Sequence, residues 1–369
     1  KLETPENIWV GAIAVYNIGG ALNRNSTSRT NQNGPEEYGF RGNARNYDLN
    51  RDFIKADTKN ARSFAEVYHL INPDVLIDNH VSNGADYQYV LTHLFTQHNK
   101  LGGKLGSYLN TELHPNLEKS LESKGWPITP YVNVFNEVPE IGFSQFMDYP
   151  RYSTGYSTLW NTLGMMVETH MLKPYKPRVE GTYELMKSML ELTSRDAKKI
   201  KHMRTEIDSL YKSGSLTNTY YNTQYTIDSS QTTTLQFKGY EGEKIKSAVT
   251  GFERLKYNRD KPFTKEVAYY NNMTPTDSVK IPAAYIVPAG QHLIINRLKE
   301  NKIAYTTFKK DSILQATVYH IKDYNTRNSP YEGHYLHSNT TVSKSIENIS
   351  VKAGDLLIYT AQSGLRYLL

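Results

Sequence analysis

Residues 57–80, DTKNARSFAEVYHLINPDVLIDNH, hold a helix pattern followed directly by a strand pattern. Five apolar residues recur at the spacing of one helix face, which predicts a helix over residues 57–71. They are Ala61, Phe64, Ala65, Tyr68 and Ile71. Pro73 ends the helix because proline lacks the backbone N–H that a helix interior needs. The short apolar run DVLIDNH then predicts a buried strand that ends on His80.

Patterns on either side of this stretch extend it into a sheet. IWVGAIAVY (residues 8–16) predicts a buried strand, and the Asn-, Gly- and Ser-rich residues 17–46 predict a long loop. GMMVETHML (residues 164–172) predicts a third buried strand. The order strand, loop, helix, strand favours a βαβ unit, whose ligands bind at the carboxyl ends of strands. We therefore expect residues 1–214 to form an α/β domain, a mixed twisted sheet with helices on both faces.

Two further helices and a change of composition complete the chain. Residues 100–123 predict one helix, and residues 179–214 predict a long helix or helix pair with Gly214 as its C-cap. From about residue 215, Thr, Tyr and Ser become frequent and short alternating apolar runs appear. Residues 215–369 are therefore predicted to form a β-rich accessory region, with one helix at residues 291–302.

Composition excludes several kinds of site and partner. The 369 residues include 43 basic and 37 acidic ones, a net charge of +6, without a run of like charges that would bind nucleic acid or a membrane surface. No apolar run reaches the length of a membrane span. The absence of cysteine excludes disulfides, thiol nucleophiles and cysteine zinc sites. The sequence shows no signal peptide, and its abrupt start predicts a fragment or a processed product.

RGNARNYDLNRDF, residues 41–53, concentrates forked polar side chains in one loop. An arginine guanidinium matches a carboxylate with two parallel hydrogen bonds, so Asn50 and Arg51 are candidates for gripping a carboxylate or a phosphate. The alternative is a solvated surface loop. His80 ends a predicted buried strand, and Glu168 lies inside an apolar one, where an unpaired carboxylate needs a partner or a chemical role.

The same loop resembles the substrate-binding signature of the zinc carboxypeptidases, Arg-x-Asn-Ala-x-Gly-Val-Asp-Leu-Asn-Arg-Asn-Phe. The residues that match it in order and spacing are Arg41, Asn43, Ala44, Asp48, Leu49, Asn50, Arg51 and Phe53. The order of later elements is also similar, with a strand ending in His80, the loop YSTGYSTLW, and the Glu168 strand MMVETH. The resemblance covers roughly residues 8–210, and it implies a zinc-carboxypeptidase-like domain that lacks its first strands.

The resemblance implies a role for each matching residue. Arg41 would polarise the scissile carbonyl and stabilise its oxyanion. Asn50 and Arg51 would hold the terminal carboxylate of the substrate. Asp48 would orient a zinc-bound imidazole, and His80 would be a zinc ligand.

Two more roles belong to the later elements. Glu168 would be the general base that takes a proton from the zinc-bound water and returns it to the leaving amine. A tyrosine would close over the substrate, for which Tyr152 is preferred to Tyr149 and Tyr156.

The chain departs from the family at the metal. The family holds zinc with a His-x-x-Glu pair and a later His, and none of the 11 histidines has a glutamate three positions on. His114 and His202 have one four positions on, which is a different spacing. The cofactor site for Zn²⁺ is therefore incomplete, and His80 alone cannot form a three-ligand catalytic site. Either an upstream segment carries the pair, which we expect, or zinc was lost and the cleft kept for binding.

One further motif is a weaker candidate for a metal site. PYEGHYLH places His334 and His337 three apart near Glu332, but without an evident third ligand it predicts a turn with exposed histidines. No glycine-rich phosphate loop and no Gly-x-Ser-x-Gly elbow occurs.

The predicted activity is zinc-dependent hydrolysis of a C-terminal peptide or amide bond, by a metallocarboxypeptidase that is exported from the cell. Its partner would be a peptide with a free C-terminal carboxylate. The alternative from another class is a non-catalytic module that binds peptide C-termini or acidic peptide or glycan fragments. A structural surface protein is the third alternative.

Overall fold

The computed structural model describes residues 5–29 and 31–369. The strands of the first half are β1 (Val75–Ser82), β2 (Leu91–Phe95), β3 (Ile128–Pro130), β4 (Phe143–Ser144) and β5 (Leu163–His170). Its helices are α1 (Ile18–Leu22), α2 (Lys59–Ile71), α3 (His98–Leu101), α4 (Gly103–Tyr108), α5 (His114–Ser123), α6 (Ser153–Thr158) and α7 (Tyr175–Lys212). Among the described residues, no helix is both long and apolar enough to cross a membrane.

Four of these strands form a mixed sheet in the order β1-β5-β2-β3. β1 runs parallel to β5, β5 antiparallel to β2, and β2 parallel to β3. The mixed α/β class predicted for the first half is confirmed. α2 begins after Thr58, whose side chain accepts a hydrogen bond from the Ala61 amide, and ends at the left-handed Asn72 just before Pro73.

Helices cover both faces of this sheet. On one face, Met165 and Val167 of β5 pack with Leu117 of α5 and Leu185 of α7 in the largest buried core. Strand side chains alternate between faces, so the even-numbered residues of β5 lie on the opposite side. There a Cβ added to Gly164 would lie 2.5 Å from the Ser157 hydroxyl of α6, which shows how closely that helix approaches.

The second half consists mainly of antiparallel hairpins. Its strands are β6 (Tyr220–Ile227), β7 (Thr233–Lys246), β8 (Glu253–Tyr270), β9 (Met273–Lys280), β10 (Ala284–Val287), β11 (Thr306–Thr307), β12 (Ser312–Thr326), β13 (His337–Val351) and β14 (Leu356–Tyr359). Its helices are α8 (His292–Glu300) and α9 (Leu365–Leu368). The β-rich character and the helix α8 agree with the prediction from sequence, whereas the short helix α9 was not predicted.

The second half packs closely against the first. Phe237 of β7 and Val267 of β8 share a buried core with Tyr87 and Phe143, and β4 pairs with β8. The change of composition near residue 215 coincides with the end of α7, where Gly214 has φ +72°. The two halves are nevertheless joined by the buried cluster that contains Phe237, Val267, Tyr87 and Phe143.

Two sequence-based predictions of secondary structure were wrong. Residues 8–16 form no strand, and Trp9 is 77% exposed. In the described chain, this segment pairs with no strand of the sheet. Only Tyr16, at its end, packs against Phe53 and Phe64. The predicted helix over residues 100–123 is split into α3, α4 and α5. Gly102 and Gly103 have positive φ, and Pro115 lacks an N–H where a π-helical turn leads into α5.

Candidate functional site

His80 and Glu168 lie side by side near the carboxyl ends of two parallel strands. The register of β1 and β5 pairs these two residues directly. Because paired residues project to the same face, both side chains lie on the α6 side of the sheet. The structure thus brings together two of the residues that the sequence assigned to one site, at the edge where α/β sheets bind ligands.

The His80 imidazole forms an ion pair with Asp78, with Nε2 2.8 Å from Oδ2. Burial alone would lower the pKa of His80, but the Asp78 carboxylate outweighs burial and, with Glu168, raises the pKa to about 9. Burial would raise the pKa of Asp78, whereas His80 and the Ser153 hydroxyl lower it overall. His80 is therefore a partly buried imidazolium at neutral pH.

Glu168 lies beside this pair with a buried Oε2 that has no hydrogen-bond partner among the described residues. Burial raises the pKa of Glu168 to about 7, against the lowering influence of His80, Arg29 and Arg41. A carboxylate with this pKa can both accept and release a proton near neutral pH. Arg29, which sequence reasoning did not select, is anchored by a hydrogen bond of 3.1 Å to the Val81 carbonyl.

Asn50 and Arg51, which the sequence assigned to the same site, lie in a 3-10 turn, Leu49–Arg51. The region between this turn and the His80–Glu168 pair is called the cleft. The Arg51 guanidinium lies over the Tyr152 ring, 4.5 Å from its centroid, and donates to the Asn50 carbonyl. No ion pair of Arg51 occurs within the described part of the chain. The Asn50 side-chain Oδ1 is buried and, among the same residues, also lacks a partner.

Tyr131 lies within electrostatic range of both Glu168 and Arg51. Burial, with a further contribution from Glu168, raises the pKa of Tyr131 to about 12, and Arg51 opposes the shift. The sequence offered no signal for Tyr131, which follows a short strand without a recognisable motif.

Arg41 and Asp48 form their own ion pair at the rim. Arg41 donates from Nε and Nη2 to Asp48 Oδ2 at 2.9 and 2.7 Å. The Asp48 carboxylate also accepts from the Asn50 amide, which caps the 3-10 turn. The carboxylate in contact with His80 is that of Asp78, two residues earlier on the same strand face. A D-x-H pattern within a strand is the signal that could have identified it.

Of the three candidate tyrosines, Tyr149 and Tyr152 lie in the loop before α6, and Tyr156 lies within α6. Tyr152 is 6% exposed, with its hydroxyl accepting from Arg151, so it forms the wall beneath Arg51. Tyr156 is fully buried, whereas Tyr149 is 44% exposed. Tyr149 is therefore the most exposed of the three, while closure by Tyr152 stays a prediction.

The tip of the β12–β13 hairpin contacts the segment that contains Asp48, Lys55 and Asp57. The Glu332 carboxylate accepts from the Asp48 amide and from Lys55, and His334 Nε2 lies 2.7 Å from Asp57 Oδ2. The hairpin thus places a carboxylate beside the segment predicted to bind one. Sequence reasoning missed this contact because 284 positions separate Glu332 from Asp48.

The residues around His80 do not fit a zinc ion. Of the residues described, one group has three ligand atoms within 4.8 Å of one another: His93, His114 and Glu118. His80 does not belong to it, and its Nε2 is occupied by Asp78. A catalytic zinc needs three protein ligands, and His80 does not lie in such a group.

Comparisons of this chain with protein-family models, with curated proteins and with solved structures find no match.

Proposed function

We propose that the cleft binds the free C-terminal carboxylate of a peptide. The observation that carries this proposal is Arg51, held on the Tyr152 ring and without an ion pair in the described chain. Stacking on an aromatic ring fixes the guanidinium fork while leaving its edge donors available to a planar carboxylate. The resemblance of residues 41–53 to the carboxypeptidase signature assigns the same role to Asn50 and Arg51.

The charge of the cleft suits an anionic end group. Arg29, Arg41 and Arg51 surround it, and His80 is an imidazolium. Asp48 neutralises Arg41, and Asp78 neutralises His80. In the described chain, Arg29 and Arg51 have no carboxylate at ion-pair distance. A bound carboxylate would neutralise this excess positive charge. An anion in a partly buried cleft is stabilised most by fixed donors of opposite charge.

A peptide pair that differs only at its C-terminus tests this proposal. We expect the free acid to bind and the C-terminal amide to bind at least about tenfold more weakly, since a charge-assisted hydrogen bond contributes about 1.5–3 kcal/mol. Arg51→Ala should lose a similar factor, measured by calorimetry. Arg45→Ala is the matched control, because Arg45 is an exposed arginine of the same loop. Equal affinity for acid and amide would refute carboxylate recognition.

A second function, hydrolysis of the terminal peptide bond, is favoured by Glu168. Its raised pKa of about 7 and its unpartnered buried oxygen suit a group that takes a proton from attacking water and delivers it to the leaving amine. Here Asn50 and Arg51 would position the last peptide bond next to Glu168. This would be the hydrolysis of a C-terminal peptide bond that the sequence resemblance implies, without the zinc site of that family at His80.

Mass spectrometry of peptides incubated with the protein, with and without added Zn²⁺, separates the two functions. Hydrolysis predicts release of the last residue, and Glu168→Gln should abolish release while peptide binding persists. Binding without release under either condition would refute hydrolysis and leave carboxylate capture as the function.

A further inference from the structure

A second group of ionisable side chains lies on the other face of the same sheet. His93 is the central residue of β2, where it pairs with Val167, and its neighbours Leu91 and Phe95 belong to the core beneath α5. Thr92, the preceding residue, pairs with Glu168. Alternation along the strand therefore puts His93 on the face opposite to Glu168, away from the cleft.

His93 meets two residues from the first turns of α5. Glu118 Oε1 lies 3.0 Å from His93 Nε2 and 3.0 Å from His114 Nε2. The two imidazole centroids are 4.7 Å apart, at an interplanar angle of 68°. Two ring nitrogens on one helix and one strand thus converge on a single carboxylate oxygen.

This geometry is close to that of metal coordination. In a tetrahedral site with metal–ligand bonds of about 2.0–2.2 Å, neighbouring ligand atoms lie about 3.3–3.5 Å apart. The nitrogen–oxygen distances of 3.0 Å would have to increase by only a few tenths of an ångström to admit an ion. The i, i+4 spacing of His114 and Glu118 keeps both ligands on one side of α5, as helical metal-binding pairs require.

A small cavity of mixed polarity adjoins two of the three ligands, His93 and His114. It has a volume of about 20 Å³, enough for one water molecule, and His93 and His114 line it. Its other polar lining residues include His98, Asn110 and Gln145. The cavity therefore has room for one water molecule next to the two imidazoles.

We propose that His93, His114 and Glu118 bind one divalent transition-metal ion, with a water from the adjoining cavity as the fourth ligand. Two imidazoles and a carboxylate suit Zn²⁺, Co²⁺, Ni²⁺ or Cu²⁺, whereas Mg²⁺ and Ca²⁺ prefer oxygen ligands. The ion ties the centre of β2 to the start of α5. This site is independent of the carboxylate-binding cleft and does not rest on the function proposed for it.

The sequence contains a pattern for only two of the three proposed metal ligands. His114 and Glu118 stand four apart, and the third ligand comes from a strand 21 positions earlier, so no contiguous motif contains all three. An identical spacing recurs in His202 and Glu206 of α7, where Nε2 and Oε1 are 3.4 Å apart on an exposed surface. The strand histidine distinguishes the first pair from the second.

Cobalt titration of the chelator-treated, dialysed full chain tests the site. We expect one equivalent of Co²⁺ to bind, with visible absorption bands of a four-coordinate ion, and Zn²⁺ to displace it. His114→Gln and Glu118→Gln should each weaken binding at least about 100-fold. Circular dichroism in metal-free buffer shows whether each variant is folded, and either folded variant suffices for the test.

Two matched controls locate the ion. His202→Gln removes the exposed histidine with the same spacing, and His80→Gln removes the histidine of the cleft; both should bind Co²⁺ as the unmodified protein does. The proposal is overturned if the unmodified protein binds no Co²⁺ at millimolar concentration, if a folded His114→Gln or Glu118→Gln variant retains full affinity, or if His80→Gln abolishes binding.

Discussion

Replacing Glu168 by glutamine should change how the stability of the protein depends on pH. The pKa of Glu168 in the folded protein is about 7, against an ordinary value of 4.5. Each pKa unit corresponds to about 1.36 kcal/mol, so ionising this carboxylate costs the folded state about 3 kcal/mol relative to the unfolded chain. Glutamine keeps the shape of the side chain and cannot ionise.

The direction of this pH dependence is set by the state, folded or unfolded, that binds the Glu168 proton more tightly. The folded protein holds the Glu168 proton more tightly, so this group stabilises the fold fully below pH 4.5, and that stability is lost as the pH rises to 7. Relative to the unmodified protein, Glu168→Gln should therefore gain about 3 kcal/mol between pH 4.5 and 7, with no further gain above. At about 2.1 cal/mol/K per residue, the 369 residues convert this into a relative rise in Tm of about 4 °C.

Scanning calorimetry of both proteins from pH 4 to 8.5 measures this difference. The difference in Tm between the two proteins is plotted against pH to give a difference curve. Any effect of the glutamine on stability that does not depend on pH displaces this curve without changing its slope. Glu66→Gln, at an exposed position of α2, should give a flat difference curve. NMR provides a second readout: the pKa of His80 should fall below about 9 in Glu168→Gln, because the Glu168 carboxylate raises it. A Tm difference that stays constant from pH 4.5 to 7 would refute the assignment of a buried, proton-binding Glu168.

Three other substitutions have defined outcomes. Glu332→Gln removes the carboxylate beside Lys55, so a peptide carboxylate should bind roughly 3–10-fold more tightly at low salt, with a smaller gain at high salt in calorimetric titrations. Asp52→Ala should lower the free energy of unfolding by about 2–4 kcal/mol in urea titrations, because this fully buried carboxylate accepts from two backbone amides and one hydroxyl. Gly155→Ala should cost about 3 kcal/mol or more and lower Tm, since the added Cβ would lie 2.1 Å from the Tyr149 carbonyl oxygen.

Local sequence patterns predicted the elements whose causes are themselves local. The helix α2 and the strand β1 follow from an apolar helix face, the Thr58 cap and Pro73, all within 25 residues. The strand around Glu168 is also confirmed, because a fully buried strand is apolar on both faces and its one carboxylate marks the exception. Each of these signals depends on neighbours in sequence.

The predictions that failed depended on partners far away in sequence. Residues 8–16 have the composition of a buried strand, but a strand also needs an adjacent strand to bond its backbone, which composition does not reveal. The contact of Glu332 with the Asp48 amide likewise joins the two halves of the chain through a hairpin tip. The Asp78–His80 pair was predictable in principle from strand alternation, yet a family signature directed attention to Asp48.

Strand alternation explains why one small sheet can hold two independent candidate sites. In β2 and β5, the paired Thr92 and Glu168 lie on the α6 face, and the next pair, His93 and Val167, lies on the α5 face. Adjacent residues therefore belong to chemically separate environments, an arginine-lined cleft and a histidine pair on a carboxylate. A one-residue slip of β2 against β5 would exchange the faces and bury His93 beside Glu168, so correct register is a condition for both sites. A metal ion that ties His93 to α5 would favour that register, and in this way a site on one face would stabilise the geometry of the other.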